Sequence, residues 1–431
     1  MNNAPSALAY LVSRYPAVSH TFILREVQGL RRLGFRIETA SINPPDRPLA
    51  KMTPDEQLEA KQTYSIKLDG AYGAACALLW AMFSRPVALL RCARAAMAFG
   101  QGLKRIYALA YAIEAVMVAR WMQKHDLLHL HVHFGNEGAT VGTLVKDFTG
   151  AGLSLTIHGP DEFDNIPGQR LRHKINAADR IVCISQFGRS QLMRISDPAL
   201  WPKLQLCHLG VESATYAHAR NKRNEAPSIA APFRLLCIGR LTPAKGQLLL
   251  LQACAELHHR GVPLCLTLVG DGPDRVRLEN TAKSLGIGAL VDFAGALNQA
   301  EVANELVKAE AFILPSLAEG IPVVLMEAMA SGLPCISSPV NGIPELIEHN
   351  VSGLLVAAGD VRELAKQLER LIGDSALCER IGRTGREKVM QHFEFSKNLQ
   401  KLAKIFYHLP TLNRLDVNTR TARLRPIATT R

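Results

Sequence analysis

The stretch FRLLCIGRLTPAKGQLLLLQACAELHHRGVPLCLTLVG, residues 233–270, decides the fold. FRLLCIGR and CLTLVG are short apolar runs, and a helical pattern opens between them at Gln247. Two strand-like runs joined by a helix make a βαβ unit, with parallel strands and the helix packed across them. The rhythm then continues. A helix around Arg277, the run LVDFAG, a helix around Val302, AFILPS, a helix from Val323, PCISSP and GLLVAAGD follow in order. The pattern predicts a doubly wound α/β domain over 233–390. A last helix is expected over 391–409, crossing back to the N-terminal half.

The first half repeats the rhythm. SALAYLV and FRIETASI flank TFILREVQGLRRLG, in which Phe22, Ile23, Val27, Leu30 and Leu33 recur at helical spacing before Gly34 ends the pattern. LLHLHVHF, LSLTIHG, RIVCIS and LQLCHLG extend the series. Residues 1–215 are therefore expected to form a second Rossmann-like domain. The polar, basic stretch YAHARNKRNEAPSIAAP, 216–232, reads as a linker. Two doubly wound domains in series should face each other across a cleft. Ligands of such sheets bind beyond the C-terminal strand ends, so the chemistry is expected in that cleft.

With 431 residues, 48% hydrophobic and 20% charged, the chain has the composition of an ordinary globular enzyme. This excludes a mostly disordered chain, a collagen and a coiled-coil rod. Lys and Arg total 50 against 38 Asp and Glu, a net charge of +12. That favours an anionic partner (a nucleotide, a nucleic acid or a membrane face) without choosing among them. Nine cysteines without a CxxC pair read as buried thiols in a reducing compartment, not as a disulfide framework or zinc site. MNNAPSALAYLV lacks a basic leader and reads as a first strand, so a cytoplasmic location is expected.

No acidic residue lies between Asp69 and Glu114, whereas Arg85, Arg91, Arg94, Lys104 and Arg105 are spread among apolar residues. A basic amphipathic helical insertion over about 70–122 is expected. It lies at an anionic membrane face, or packs on the domain with its basic side solvated. Its longest uncharged stretch, Gly70–Ser84, falls short of the ~20 residues of a membrane-spanning helix. The arginine-rich tail 410–431 is expected to be disordered.

Two segments carry chemistry. In CIGRLTPAKG, residues 237–246, a strand ends, Gly239 allows a close backbone approach, and Arg240 and Lys245 precede a helix. Two cations beside a helix N-terminus suit a diphosphate, though a solvated basic loop reads equally well. In LPSLAEGIPVVLMEAMA, residues 314–330, Glu319 sits in the loop after a strand, Pro322 starts a helix and Glu327 lies in its second turn. Glu327 is flanked by Leu325, Met326, Ala328 and Met329, a costly setting for a lone carboxylate. A ribose diol could satisfy it, but a place on the solvated helix face or a nearby arginine is the more common outcome for such a carboxylate.

Gly239-Arg240 with Lys245, then Glu319 and Glu327, together resemble the retaining family 4 glycosyltransferases of the GT-B fold. LVGDGPDRVRLE and NGIPELIEHNVSGLLVAAGD agree with this, and SHTFILREVQGLRRLG, HLHVHFG and TIHGPDEF resemble a bacterial exopolysaccharide branch. The resemblance implies that Arg240 and Lys245 bind the diphosphate of a nucleotide-sugar, a UDP- or GDP-hexose, and that Glu327 holds the ribose. Glu319 would contact the donor sugar as the first catalytic candidate. His158 would face it, touching sugar hydroxyls or the diphosphate. The acceptor would be a glycan or a lipid-linked intermediate at the inner membrane face. No cofactor, metal or nucleic acid is implied.

Pro322 departs from the family pattern, because a glycine is common there. Proline cannot donate to phosphate, which leaves the N–H groups of Val323 and Val324. Ser19-His20-Thr21 replace the common Gly-Gly loop. His129, His131 and His133 alternate on a strand, but with no nearby cysteine or aspartate pair a metal cluster is not expected. Rival readings are weaker. Gly270-Asp271-Gly272 has Arg275 where a dinucleotide fingerprint needs its third glycine. A sugar-nucleotide epimerase or a phosphorylase shares the fold, and a non-catalytic basic scaffold would not need Glu319 and Glu327.

Overall fold

The computed structural model describes residues 7–100, 104–216 and 231–410. Most of the linker expected at 216–232 and the tail beyond residue 410 lie outside the described residues. So do the first six residues of the chain.

The chain divides into two compact units. The first comprises 1–184, 189–207 and 399–431, and the second 185–188 and 208–398. In the first, strands β1 (Ala7–Arg14), β2 (Arg36–Asn43), β3 (Tyr64–Ser65), β4 (His129–His133), β5 (Gly152–Ile157), β6 (Arg180–Cys183) and β7 (Leu204–Leu206) form one sheet in the order β3-β2-β1-β4-β5-β6-β7. In the second, β8 (Phe233–Ile238), β9 (Leu264–Val269), β10 (Val291–Gly295), β11 (Ala311–Leu314), β12 (Cys335–Ser337) and β13 (Leu354–Leu355) run in the order β10-β9-β8-β11-β12-β13. All these pairings are parallel.

Both sheets thus share one topology: three strands wind outward, the chain crosses back, and the rest wind the other way. The reason is legible in the strands. Every residue of β4, β5 and β11 is buried, as expected for parallel strands covered by helices on both faces. The order reverses between β1 and β4 and between β8 and β11. Such switch points open crevices at the C-terminal strand ends.

The last helix, Phe395–Tyr407, returns to the first unit from Leu399 onward. There Phe406 packs edge-on against Tyr10 and His131, and Tyr407 against Phe35.

The basic insertion is three helices: Ile66–Ser84, Pro86–Ala98 and Lys104–Lys124. The first is 19 residues long, so the expectation that this segment is too short to span a membrane is corrected. It begins at Ile66, takes in Lys67 and Asp69 and kinks at Gly70 (φ 61°), and by length and composition alone it could cross one. Ile66, Gly73, Ala77 and Ala81 are its buried residues. Leu68, Tyr72, Leu79, Met82 and Phe83 are exposed, as are Val87 and Leu90 of the next helix.

Candidate functional site

The second unit places its motif residues around the β8/β11 switch point. After β8, Arg240 is exposed and forms no ion pair among the described residues. A short 3-10 turn, Pro243–Lys245, ends at Gly246, and the helix Gln247–His259 begins directly after it. Gly246 has φ 70°, and a Cβ there would collide with the Pro315 carbonyl at the end of β11. That position needs glycine twice over, for backbone conformation and for space. Gly239 does not. A Cβ there would only touch the Lys245 side chain at 3.7 Å. The crowding falls on Gly270 (φ 132°), which abuts the Gly239 carbonyl.

Lys245 and Glu319 meet. Lys245 Nζ donates to Glu319 Oε1 at 2.6 Å, and Ser316 Oγ donates to the same oxygen at 2.8 Å. The Leu317 N–H donates to the Ala244 carbonyl at 2.8 Å, tying the two loops together. Glu319 is 6% exposed while the Lys245 side chain keeps 26%, so the ammonium sits at the mouth and the carboxylate behind it. Pro322 is the N-cap of the helix Val323–Ala330, with no side-chain cap. The N–H groups of Val323 and Val324 find no acceptor among the described residues. They are the open donors of a helix start, where an anion is favoured. Glu327 is buried in the second turn of that helix.

The first unit builds its strand ends differently. His158, just past β5, is 8% exposed, and its Nε2 lies 2.9 Å from Nδ1 of His133. His133 Nε2 in turn lies 3.2 Å from Glu26 Oε1, which also accepts from the Tyr10 hydroxyl at 2.8 Å. Burial, then the neighbouring His133 and His20, hold His158 well below the usual imidazole range, so it is neutral. Phe134 and Phe22 wall it, with ring centroids at 4.4 and 5.0 Å. Phe134 reaches that position with φ 69°, a left-handed backbone rare for phenylalanine.

Glu162, in the helix Asp161–Asp164, clamps the two strand ends. Its carboxyl accepts from the backbone N–H of Gly135, of His158 at 2.6 Å and of Gly159 at 2.8 Å. Burial pushes it up to about 7, against the pull of those three donors. Lys174, 1% exposed, donates to the carbonyls of Gly135 and Asn136, both at 2.8 Å, and burial lowers it to about 8.

His129, His131 and His133 are wholly buried on one face of β4. The carboxylate missing from the strand's own sequence neighbourhood comes from Glu26, which lies with His131 and His133 within one 4.8 Å group. Their nitrogens are engaged, however. His131 contacts Ser154 and Thr156 hydroxyls at 2.8 and 3.0 Å, and His129 contacts Ser154 at 2.9 Å. The cluster is a hydrogen-bond network. The nine cysteines are all free.

The sequence does not single out Glu26, Glu162 and Lys174, and it offers His133 only as a member of the β4 histidine row. Glu162 stands inside the quoted TIHGPDEF, and its signal was an acidic residue four positions after His158. Glu26 and His133 belong to elements far apart in sequence, and nothing local links them.

A family model described as glycosyl transferases group 1 matches residues 219–388. The amylovoran biosynthesis glycosyltransferase AmsK of Erwinia amylovora is 29% identical over 423 residues, covering 93% of this chain and 99% of that protein. The putative colanic acid biosynthesis glycosyltransferase WcaL of Escherichia coli is 31% identical over 289 residues, 64% of this chain and 70% of that one. Among solved structures, Anabaena Alr3699/HepE in complex with UDP aligns with a TM-score of 0.68 at 18% identity, over 93% of this chain and 98% of that chain. With two parallel-sheet Rossmann-like units of the GT-B kind and these relatives, the chain belongs to the group 1 glycosyl transferases.

Proposed function

We propose that this chain is a retaining, family 4-type hexosyltransferase. It moves a hexose from UDP- or GDP-hexose to an acceptor hydroxyl, on a lipid-linked intermediate of exopolysaccharide or lipopolysaccharide synthesis. The observation that carries the reading is the Lys245–Glu319–Ser316 cluster beside the open N–H groups of Val323 and Val324. A nucleoside diphosphate leaving group gathers negative charge on its phosphate oxygens as the glycosidic bond breaks. Fixed cations and N–H donors aimed there lower the barrier without reorganising. Lys245 is held in place by Glu319, and Arg240 projects free to complete the charge neutralisation. The cations take the part that a divalent metal plays elsewhere, so no metal is required.

Glu319 stands against the reacting end of the sugar, Glu327 takes the ribose hydroxyls and His158 contacts the donor. Retention proceeds by same-face attack, with the departing phosphate accepting the acceptor's proton. The names of AmsK and WcaL support an exopolysaccharide product, and the HepE complex supports a nucleotide donor.

The enzyme works on the cytoplasmic side of the membrane. The exposed apolar residues of helices 66–84 and 86–98, interleaved with exposed Arg85, Arg91 and Arg94, suit the interface of an anionic bilayer. A screen of nucleotide-sugars with NMR of the product's anomeric centre tests the reading. Transfer with an unchanged anomeric configuration supports it. Transfer with inversion, or epimerisation without transfer, contradicts it. Flotation with phosphatidylglycerol vesicles tests the membrane face, and Phe83→Ser with Leu90→Ser should weaken it.

A further inference from the structure

A buried line of hydrogen bonds joins the helix Thr21–Arg32 to β4 and the end of β5: Glu26, His133, His158. Each contact holds one proton, so the protonation of one member dictates the next. A carboxylate at Glu26 can only accept, so the proton between it and His133 sits on His133 Nε2. A neutral imidazole has a single N–H, which leaves His133 Nδ1 bare. The proton of the second contact must then belong to His158 Nε2. His158 Nδ1 is left as a bare acceptor, and it has no partner among the described residues.

With a carboxylate at Glu26, the opposite pattern would need an imidazolium at His133. Its ring is fully buried, 5.0 Å from the ring of His131 and 5.2 Å from that of His158. Its 3.2 Å contact with Glu26 is longer than the roughly 2.7–2.9 Å of a charge-assisted pair, and Tyr10 already donates to the same oxygen. The geometry favours the neutral chain.

Resting on the glycosyl-transfer reading above, we propose that Glu26 and His133 are positioning residues that fix the tautomer of His158, so that its Nδ1 accepts a hydrogen bond from a hydroxyl of the donor sugar and does not donate to the diphosphate. This chooses between the two contacts that the sequence leaves open for His158.

Nitrogen-15 NMR of the full chain labelled at histidine, with His158 assigned through His158→Phe, reads the tautomer without any donor. At neutral pH, His158 should carry its proton on Nε2 alone. Glu26→Leu should redistribute it, and Glu26→Gln, whose amide oxygen still accepts from His133, should restore it. A wild-type His158 protonated on Nδ1, or an even mixture, overturns the proposal. Titration with UDP against UDP-glucose, and with GDP against GDP-mannose, tests the ligand. For the pair that binds, Glu26→Leu should weaken the nucleotide-sugar about three- to tenfold and leave the nucleoside diphosphate unchanged. Equal losses on both overturn the proposal. Binding of none of the four by the wild type contradicts the glycosyl-transfer reading and the ligand half of the proposal with it. The nitrogen-15 pattern still decides the tautomer.

Discussion

The two units wind their sheets identically, yet they furnish the strand ends with opposite chemistry. Beyond β8 and β11 the second unit sets charge: an ammonium at the mouth, a carboxylate behind it and open backbone donors beside them. Beyond β4 and β5 the first unit sets buried imidazoles wired to one another, with His158 kept uncharged by burial. On the proposed reading one topology serves two tasks, and the side chains at the switch point choose which. A pyrophosphate needs fixed cations, whereas a sugar hydroxyl needs an oriented neutral acceptor, and each unit offers one of these.

The largest expected effect lies on the charged side. Lys245→Met should lower kcat with the preferred donor about a hundred- to a thousandfold, the loss typical of removing one preorganised donor to a developing anion. It also leaves the buried carboxylate of Glu319 with Ser316 alone. Lys245→Met with Glu319→Gln should therefore lose less than the two single losses combined. Additive losses would mean that the two residues serve separate tasks.

The neutral side should show itself in acid. Burial lowers His129 to about 3, and His131 and His158 well below their usual range. In the unfolded chain all three titrate near pH 6.5. Below that pH the unfolded state binds protons that the folded state refuses, so stability is full above about 6.5 and falls as pH drops. Glu162, raised to about 7, acts in the opposite sense, losing its stabilising contribution as pH rises from its unfolded value toward 7. His20 and His173 are lowered by burial as well, and Glu114 and Asp147 are raised by it, so five histidines stand against three carboxyls and the net loss should be on the order of 1–3 kcal/mol per pH unit between 6.5 and 4.5. Trp80, Trp121 and Trp201, the chain's three tryptophans, all lie in the first unit. Urea unfolding followed by tryptophan fluorescence therefore reads that unit directly. A fluorescence midpoint that does not move with pH would contradict the neutral network.

Gly246→Ala sharpens the comparison from the other side. Its positive φ and the Pro315 carbonyl should make it cost about 1–3 kcal/mol. The loss should appear in the circular-dichroism transition of the second unit, leaving the tryptophan transition in place. A tryptophan transition that moves with it would break the separation.

The same contrast explains what could be read in advance. All six strands of the second sheet correspond to apolar runs visible in the sequence. Arg240, Lys245, Glu319 and Glu327 stand in two short segments, each a strand, a loop and a helix start, and the pairing of β8 with β11 brings Lys245 and Glu319 into contact. In the first unit, β3 is two residues long and leaves no apolar run to notice. Glu26, His133 and His158 come from three elements that only the β1/β4 crossover brings side by side. Glu26 reads as one charge on an amphipathic helix until that helix is packed on the sheet. The first insertion helix extends beyond the uncharged stretch for a related reason. Its first turn holds Lys67 and Asp69, and a kink at Gly70 (φ 61°) joins that turn to the uncharged run.

The most direct test of the central claim is titration of the wild type, Lys245→Met and His158→Phe with UDP and GDP at low and high salt. Nucleoside diphosphate affinity should fall at least tenfold in Lys245→Met, weaken with salt in the wild type and stay unchanged in His158→Phe. Equal affinities in all three proteins would contradict a diphosphate site built on Lys245.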